Sequence, residues 1–337
     1  MTNSLASLES PHFPVMLDEV ISICSPKNGG TFVDCTFGGG GYSKTILKYS
    51  GTKVIALDRD KFVLNISKIL EEKYPSRFSF HKRKFSEVDR IVSEKKVDAV
   101  IFDLGLSSIQ LNNLSRGFSF HSKENLDMSM GLSTRSAESV VNNFSEEDLK
   151  KIIKILGEEK EAARIAKNIV KFRNIEKITK VNQLVEIINR SKKKNHKKKI
   201  NPSTQTFQAL RIFVNTEITE LIKGITNATK ILKPGGKILI ISFHSIEDKI
   251  IKFFFKNFSL NRSRPSRYIP ETNDKNIYLF TEYKNKILKP TKLEISKNFP
   301  SRSAKLRYAI RNKNNYIYPS ELLKKFKKYL DIEEIHA

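Results

Sequence analysis

A chain of 337 residues is long enough to bury one large core and a subsidiary one, and too long for a single small module. With 39% hydrophobic and 29% charged residues and no apolar run near the roughly 20 residues of a bilayer span, it reads as a globular cytoplasmic protein without a membrane partner. The formal charge of +25 favours polyanions and makes nucleic acid the first partner class to consider, although Lys, Asn and Ile are abundant throughout and compositional bias supplies part of the excess.

The opening MTNSLASLESP has no basic stretch followed by an apolar one, so it is expected to be a frayed tail and not a secretory signal. Cys24 and Cys35 have neither paired spacing nor a neighbouring His cluster, which argues against a disulfide framework and against a zinc site; no metal is expected. From Thr31 to Val100, β-rich runs (TFVDCTF, TKVIALD, RFSFHKRKF, VDAVIFDLG) alternate with helical stretches (YSKTILKYS, KFVLNISKILEEKY), the pattern of a parallel sheet flanked by helices. Residues 145–190 read as helices only. Ser145 is the expected N-cap, with Asp148 three residues on, before Leu149, Ile152, Ile153 and Leu156; Ala162, Ile165, Ala166, Ile169 and Val170 continue the period. Strands then resume: a helix carrying Phe207, Leu210, Phe213, Val214, Ile218, Leu221, Ile222 and Ile225 leads through a turn at Lys233–Gly236 into KILIISF. The predicted architecture is therefore an α/β core of residues 1–112 and 204–337 interrupted by an inserted helical domain, 113–203. The insertion ends in the charge run 192–199, which is either a solvated loop or an RNA contact, and the tail KKFKKYLDIEEIHA is expected to be a surface helix.

Chemistry gathers where strands end. In FVDCTFGGGGYS a strand closing on an acid runs into four glycines and a helix, where a ligand can approach bare backbone; a merely tight turn or a dinucleotide site would use the same residues. The next strand ends in Asp58, placed 24 residues after Asp34, where a carboxylate accepts from both ribose hydroxyls of an adenosine cofactor or, alternatively, caps a helix. LKPGGKILIISF resembles the closing region of class I methyltransferases, which selects S-adenosylmethionine over a nicotinamide cofactor.

With HFPVMLDEV, DCTFGGGGYS, ALDRD, IFDLGLSSIQL, RGFSF, LDMSM, GEEKEAARIAKNI, NPSTQTFQALRIFVNTEI, LKPGGKILIISFHSIEDKIIK and PSRSAKLRYAIR in this order from His12 to Arg311, the chain resembles the bacterial 16S ribosomal RNA cytosine-N4 methyltransferases. The resemblance implies a class I S-adenosylmethionine-dependent (Rossmann-like) fold with a helical insertion after IFDLG. It implies cofactor contacts at Gly40, Gly41 and Tyr42, at Asp58 for the ribose, at Phe85 for the adenine, and at Asp103 and Gln110. Phe85 read from the sequence alone is equally a core residue. Four positions depart from the family: Tyr42 replaces a usual His, Ile109 a Pro, and Ser129 and Gln205 each an Arg, which puts in doubt any phosphate or carboxylate contact made at the last two.

The exocyclic amine of cytosine is a weak nucleophile, so a site for it needs hydrogen-bond acceptors and in-line alignment. Where DNA amino-methyltransferases carry a Pro-Pro-aromatic turn, this chain has DLGLSS; Asp103, or a carbonyl of Leu104 or Gly105, is the candidate acceptor. His244 either lines the target-base side as a second catalytic residue or is a structural histidine. The implied partner is 16S rRNA within the small ribosomal subunit, at a decoding-centre cytosine, and the helical insertion leaves room for a homodimer. Competing readings are a DNA amino-methyltransferase and an RNA-binding assembly factor with a vestigial methyltransferase fold; the intact Asp58, Asp103 and glycine loop speak against the second. Basic segments with Lys82 and Arg83, with Arg302, Lys305 and Arg307, and at 192–199 are candidate phosphate contacts, Arg302 and Arg307 serving equally well as core braces. RNA affinity is expected to fall steeply with added salt in a filter-binding titration, and a flat response would remove the phosphate-contact reading.

Overall fold

The computed structural model describes residues 14–93, 95–107, 110–111, 113–192, 201–260, 278–281, 283 and 285–336. The N-terminal tail, Ile109 and the basic run from Lys193 onward lie outside them. Two compact units are present, one from residues 1–105 and 222–322, the other from 106–221 and 323–337.

The first unit is built on a six-stranded sheet. Runs rich in Val, Ile and Phe form β1 (Gly30–Asp34), β2 (Thr52–Asp58), β3 (Phe78–Lys82), β4 (Val97–Asp103) and β5 (Leu232–Ser242), all parallel, and β6 (Lys305–Ile310) closes the sheet antiparallel to β5. Such near-continuous apolar runs are what strands covered on both faces require. The strand order is β3-β2-β1-β4-β5-β6, so the winding direction reverses between β1 and β4. At that switch point the flanking connections leave in opposite directions and a crevice opens outside the carboxyl ends of the strands. Register decides what faces the crevice: Asp34 pairs with Ala56 of β2 and with Ile101 of β4, so Asp58 and Asp103 each stand two residues further toward the same edge. Phe32, Phe37, Tyr42, Ile46, Val54, Ala56, Ile101, Leu239 and Ile241 belong to the buried cluster beneath that edge. The expected turn at Lys233–Gly236 is a bulge within β5, because Leu232 pairs with Val97 and Lys237 with Ala99, leaving the residues between them to loop out with Gly235 at φ 82°.

In the second unit, Ser145 caps the helix Glu146–Leu156 by accepting from Asp148 N at 3.1 Å, and Leu149, Ile152, Ile153 and Leu156 are buried. That helix packs against Ala162–Arg173 and Thr204–Asn215, and Ala162–Arg173 against Val181–Ser191. The helix Thr204–Asn215 thus belongs with the helical unit, which is wider than 113–203. The reason is visible in Asn215, whose amide donates to Met128 O at 2.8 Å and accepts from Met130 N at 2.8 Å, fastening the loop LDMSM to that helix. The C-terminal helix Ser320–Glu333 is not a mere surface helix either. Phe326, Tyr329 and Ile332 are buried, and the carboxylate of Glu333 accepts from Ile218 N, Thr219 N and Thr219 Oγ1 at 2.9, 2.8 and 2.7 Å, serving the free amides at the start of the helix Glu217–Ile231. Replacing Glu333 by Ala strands one buried and one half-buried amide and is expected to lower the unfolding free energy by about 3 kcal/mol, measured by urea denaturation; a change within experimental error would show that the cap contributes nothing.

Candidate active site

The site grows from the first turn after β1. Gly40 has φ 73°, and a Cβ there would lie 2.9 Å from the Phe37 ring; a Cβ on Gly41 would lie 2.7 Å from Pro14. Both positions demand glycine for conformation or space, and the loop they form brings backbone amides to the crevice. Gly38 N donates to Asp58 Oδ2 at 2.9 Å and Asp60 N to Asp58 Oδ1 at 2.9 Å. Each carboxylate oxygen of Asp58 thereby keeps a lone pair in reserve while its orientation is set, which is the arrangement needed to accept from a vicinal diol. Asp34, fully buried, accepts from Ser43 Oγ at 2.6 Å, and Thr36 Oγ1 accepts from Asp103 N at 2.7 Å, so β1, the loop and β4 are stitched together.

Asp103 is the most perturbed acid of the edge. Tyr42 has one phenolic proton and two acceptors to serve, Val15 O at 2.5 Å and Asp103 Oδ2 at 3.2 Å, while Asp103 Oδ1 is buried without a partner among the described residues. Burial pushes the Asp103 carboxyl up to about 8, opposed by the Tyr42 hydrogen bond and reinforced by the negative charges of Asp34, Glu247 and Glu294. Asp34 is raised to about 6, again by burial first, and burial also raises Asp58. A concentration of buried acid inside a chain of net charge +25 is a site prepared for a cation or for amine donors.

His244 stands three residues past Ile241, the partner of Asp103 across β4 and β5. It caps the helix Ser245–Asn257, its Nδ1 accepting from Glu247 N at 3.5 Å, with Nε2 lying 3.1 Å from Glu247 Oε1 outside hydrogen-bond alignment. Nδ1 thus serves the helix start, while Nε2 is buried without a hydrogen-bond partner among the described residues. Phe243, which the sequence reading passed over, lies against the DLG turn: a Cβ on Gly105 would be 3.3 Å from its ring. An aromatic residue directly before the histidine at a strand end was the available signal. Phe85 packs edge-on against Phe102 with ring centroids 5.4 Å apart and against Gly224, yet stays half-buried. Gln110 belongs to the helical unit, where its Oε1 accepts from Ser107 N at 3.0 Å.

The departures also find explanations. Tyr42 links to Asp103 as described. Gln205 donates to the carbonyls of Gly157 and Glu158, and Ser129 donates to Asp127 while its carbonyl accepts from Arg116, so neither side chain takes an anion in this arrangement. Of the basic candidates, Arg307 is 2% exposed and bound to Asp248, Tyr283 and Asn285, which makes it a brace and removes it as a phosphate contact. Lys305 pairs with Asp248 as well, whereas Lys82, Arg83 and Arg302 are exposed. Cys24 and Cys35 are free and buried, and burial raises both thiols, Cys24 to about 12.

A parallel sheet of this order with an antiparallel final strand, a glycine loop after β1 and acids ending β2 and β4 defines a class I methyltransferase. Residues 9–312 match the model of the MraW methylase family, and the chain belongs to that family. Similar curated proteins include the ribosomal RNA small subunit methyltransferase H of Parvibaculum lavamentivorans, 39% identical over 92% of both chains. That of Ehrlichia ruminantium (strain Gardel) is 44% identical over 88% of this chain and 98% of its own, and that of Rickettsia massiliae 43% identical over 88% and 97%. The methyl donor is S-adenosylmethionine, and the residues present fit it: Asp58 with reserved lone pairs for a ribose, the glycine loop, and the unpartnered Asp103 oxygen near which a sulfonium charge is favoured.

Both Asp34 and Asp103 bind protons more tightly in the folded chain than in the unfolded one. The ligand-free protein is therefore expected to lose stability as pH rises from about 4 to about 8 at this edge, because ionisation there is opposed. Calorimetric affinity for S-adenosylmethionine moves the other way, rising with pH toward about 8 and levelling above it, with the slope lost in Asp103→Asn; a wild-type affinity independent of pH would contradict this electrostatic account.

Proposed function

We propose that the protein methylates the N4 amine of a decoding-centre cytosine in 16S rRNA within the small ribosomal subunit. The relatives named for small-subunit ribosomal RNA and the net charge of +25 support an RNA substrate. The observation that carries the amine as acceptor group is Asp103: a carboxyl at the end of β4 with one buried oxygen held by Tyr42 and the other unpartnered.

The target base leaves its stack to enter the site, since an amine inside a helix is out of reach. Phe243 beside Gly105 supplies an apolar wall for it. Asp103 Oδ1, ionised when a positive sulfonium lies beside it, accepts from the amine and takes the proton that the amine sheds on methylation. When bound, S-adenosylmethionine supplies a methyl group on a sulfonium whose positive charge vanishes on transfer. Asp58 holds the ribose, Gly40 and Gly41 admit the donor close to the backbone, Tyr42 fixes Asp103, and the exposed part of Phe85 is left for the adenine. His244 caps the helix that holds Glu247 through Nδ1 and keeps its buried Nε2 for the target-base side.

Tritiated donor incubated with small ribosomal subunits, naked 16S rRNA and DNA tests the reading. Label is expected in rRNA cytosine, and Asp103→Ala is expected to lower turnover by roughly 100- to 10,000-fold at saturating donor. Near-normal turnover in that variant, or label appearing in DNA instead, would defeat the proposal.

A further inference from the structure

We infer that residues 285–303 form a binding strip for single-stranded RNA beside the methylation site, on which Phe299 stacks an unpaired base. The methylation reading above supplies the identity of the RNA; the strip itself rests on the following chemistry.

The segment NKILKPTKLEISKNFPSRS contains Lys286, Lys289, Lys292, Lys297 and Arg302, all exposed. Its single acid, Glu294, is half-buried and turned inward, where it accepts from Met16 N at 2.8 Å. The outer face is consequently cationic with no carboxylate of its own to compete with phosphate. Among these charges sit Leu293 and Phe299, each 64% exposed, an apolar pair that water disfavours. The Phe299 ring is not loose. It follows the helix Lys292–Lys297, whose end is fastened by Asn298 N donating to Glu294 O at 2.7 Å, and the Arg302 guanidinium lies 4.2 Å from the ring centroid while Nη1 donates to Phe299 O at 3.2 Å.

An aromatic ring held by an arginine and largely open to solvent, with lysines spaced along the backbone around it, is the combination by which proteins hold single strands: bases stack, phosphates pair with cations, and sequence matters little. A duplex offers no free base face and gains only the charge term. Position favours RNA over a lipid surface. Glu294 holds Met16, the neighbouring Val15 carbonyl accepts from Tyr42, and Tyr42 reaches Asp103, so the strip is joined to the amine acceptor through consecutive contacts.

Fluorescence anisotropy with a labelled single-stranded oligouridine, the matching RNA duplex and anionic phosphatidylglycerol vesicles tests this on the full chain. Phe299→Ala is expected to weaken single-strand binding on the order of tenfold, the loss of one base–aromatic stack, with duplex affinity and melting temperature unchanged. Phe299→Tyr is expected to restore the affinity, and Arg302→Ala to reduce the steepness of the salt dependence by about one phosphate contact. Equal single-strand affinity of Phe299→Ala and wild type, an equal loss on duplex, or a Phe299-dependent binding to vesicles and not to RNA would overturn the inference. Binding is read without turnover. A wild type that transfers no methyl group to rRNA but shows the Phe299-dependent single-strand preference would therefore sink the proposed activity and leave the strip standing.

Discussion

The register of β1 between β2 and β4 is the constraint on which the rest of the molecule depends. Pairing of Asp34 with Ala56 and with Ile101 brings the carboxyls of Asp34, Asp58 and Asp103 to one edge at the switch in winding direction. A slip of one residue in a parallel strand would turn every side chain to the opposite face and bury or scatter the acids. Burial at that edge opposes ionisation, as the raised proton affinities of all three record, with a smaller contribution from Asp58 at Asp34 and from Asp34 at Asp103. A proton or a cationic or donor-rich ligand offsets that penalty, so the backbone pairing favours positive charge at this edge.

Charge is distributed on the same logic. The interior edge is acidic, whereas lysines and arginines prevail on the outside of the chain, giving a net +25. Polyanion attraction from the surface and cation preference in the crevice serve two ligands of opposite sign without mutual interference, because exposed charges are screened within about 10 Å in salt while buried ones are screened much less. Tyr42 connects the two environments, since its hydroxyl reaches Asp103 on one side and the carbonyl of Val15 on the other, and Met16 beside Val15 is held by Glu294 at the foot of the basic segment.

Helical packing in the second unit depends on buried polar groups that are well satisfied. Asn215 ties LDMSM to its helix, and Glu333 serves the amides at the start of Glu217–Ile231. Such groups select one arrangement of otherwise interchangeable apolar helix faces, since any other packing would leave amides and carbonyls without partners in the interior. The last turn of the chain is thereby made part of a unit that begins more than a hundred residues earlier.

Much of this was legible in the residue order. Alternating β-rich and helical runs gave the parallel sheet, the apolar period after Ser145 gave the helices and their cap, and acids closing TFVD, VIALD and VIFD marked the strand ends where ligands bind, because these signals are local and repeat with the period of the element that carries them. Other features depended on contacts between distant segments. Arg307 reads like Arg302 in PSRSAKLR, yet one is sealed against Asp248 and the other lies exposed over Phe299; His244 reads equally as a base contact or a structural residue, and the fold adds that its Nδ1 caps a helix; the C-terminal helix reads as surface and carries a buried glutamate. A sequence determines which groups are available and which local structures they favour. Which of them lose water, and which partner each then meets, is decided by the tertiary fold, because burial and proton affinity depend on neighbours that the chain brings together only when it closes on itself.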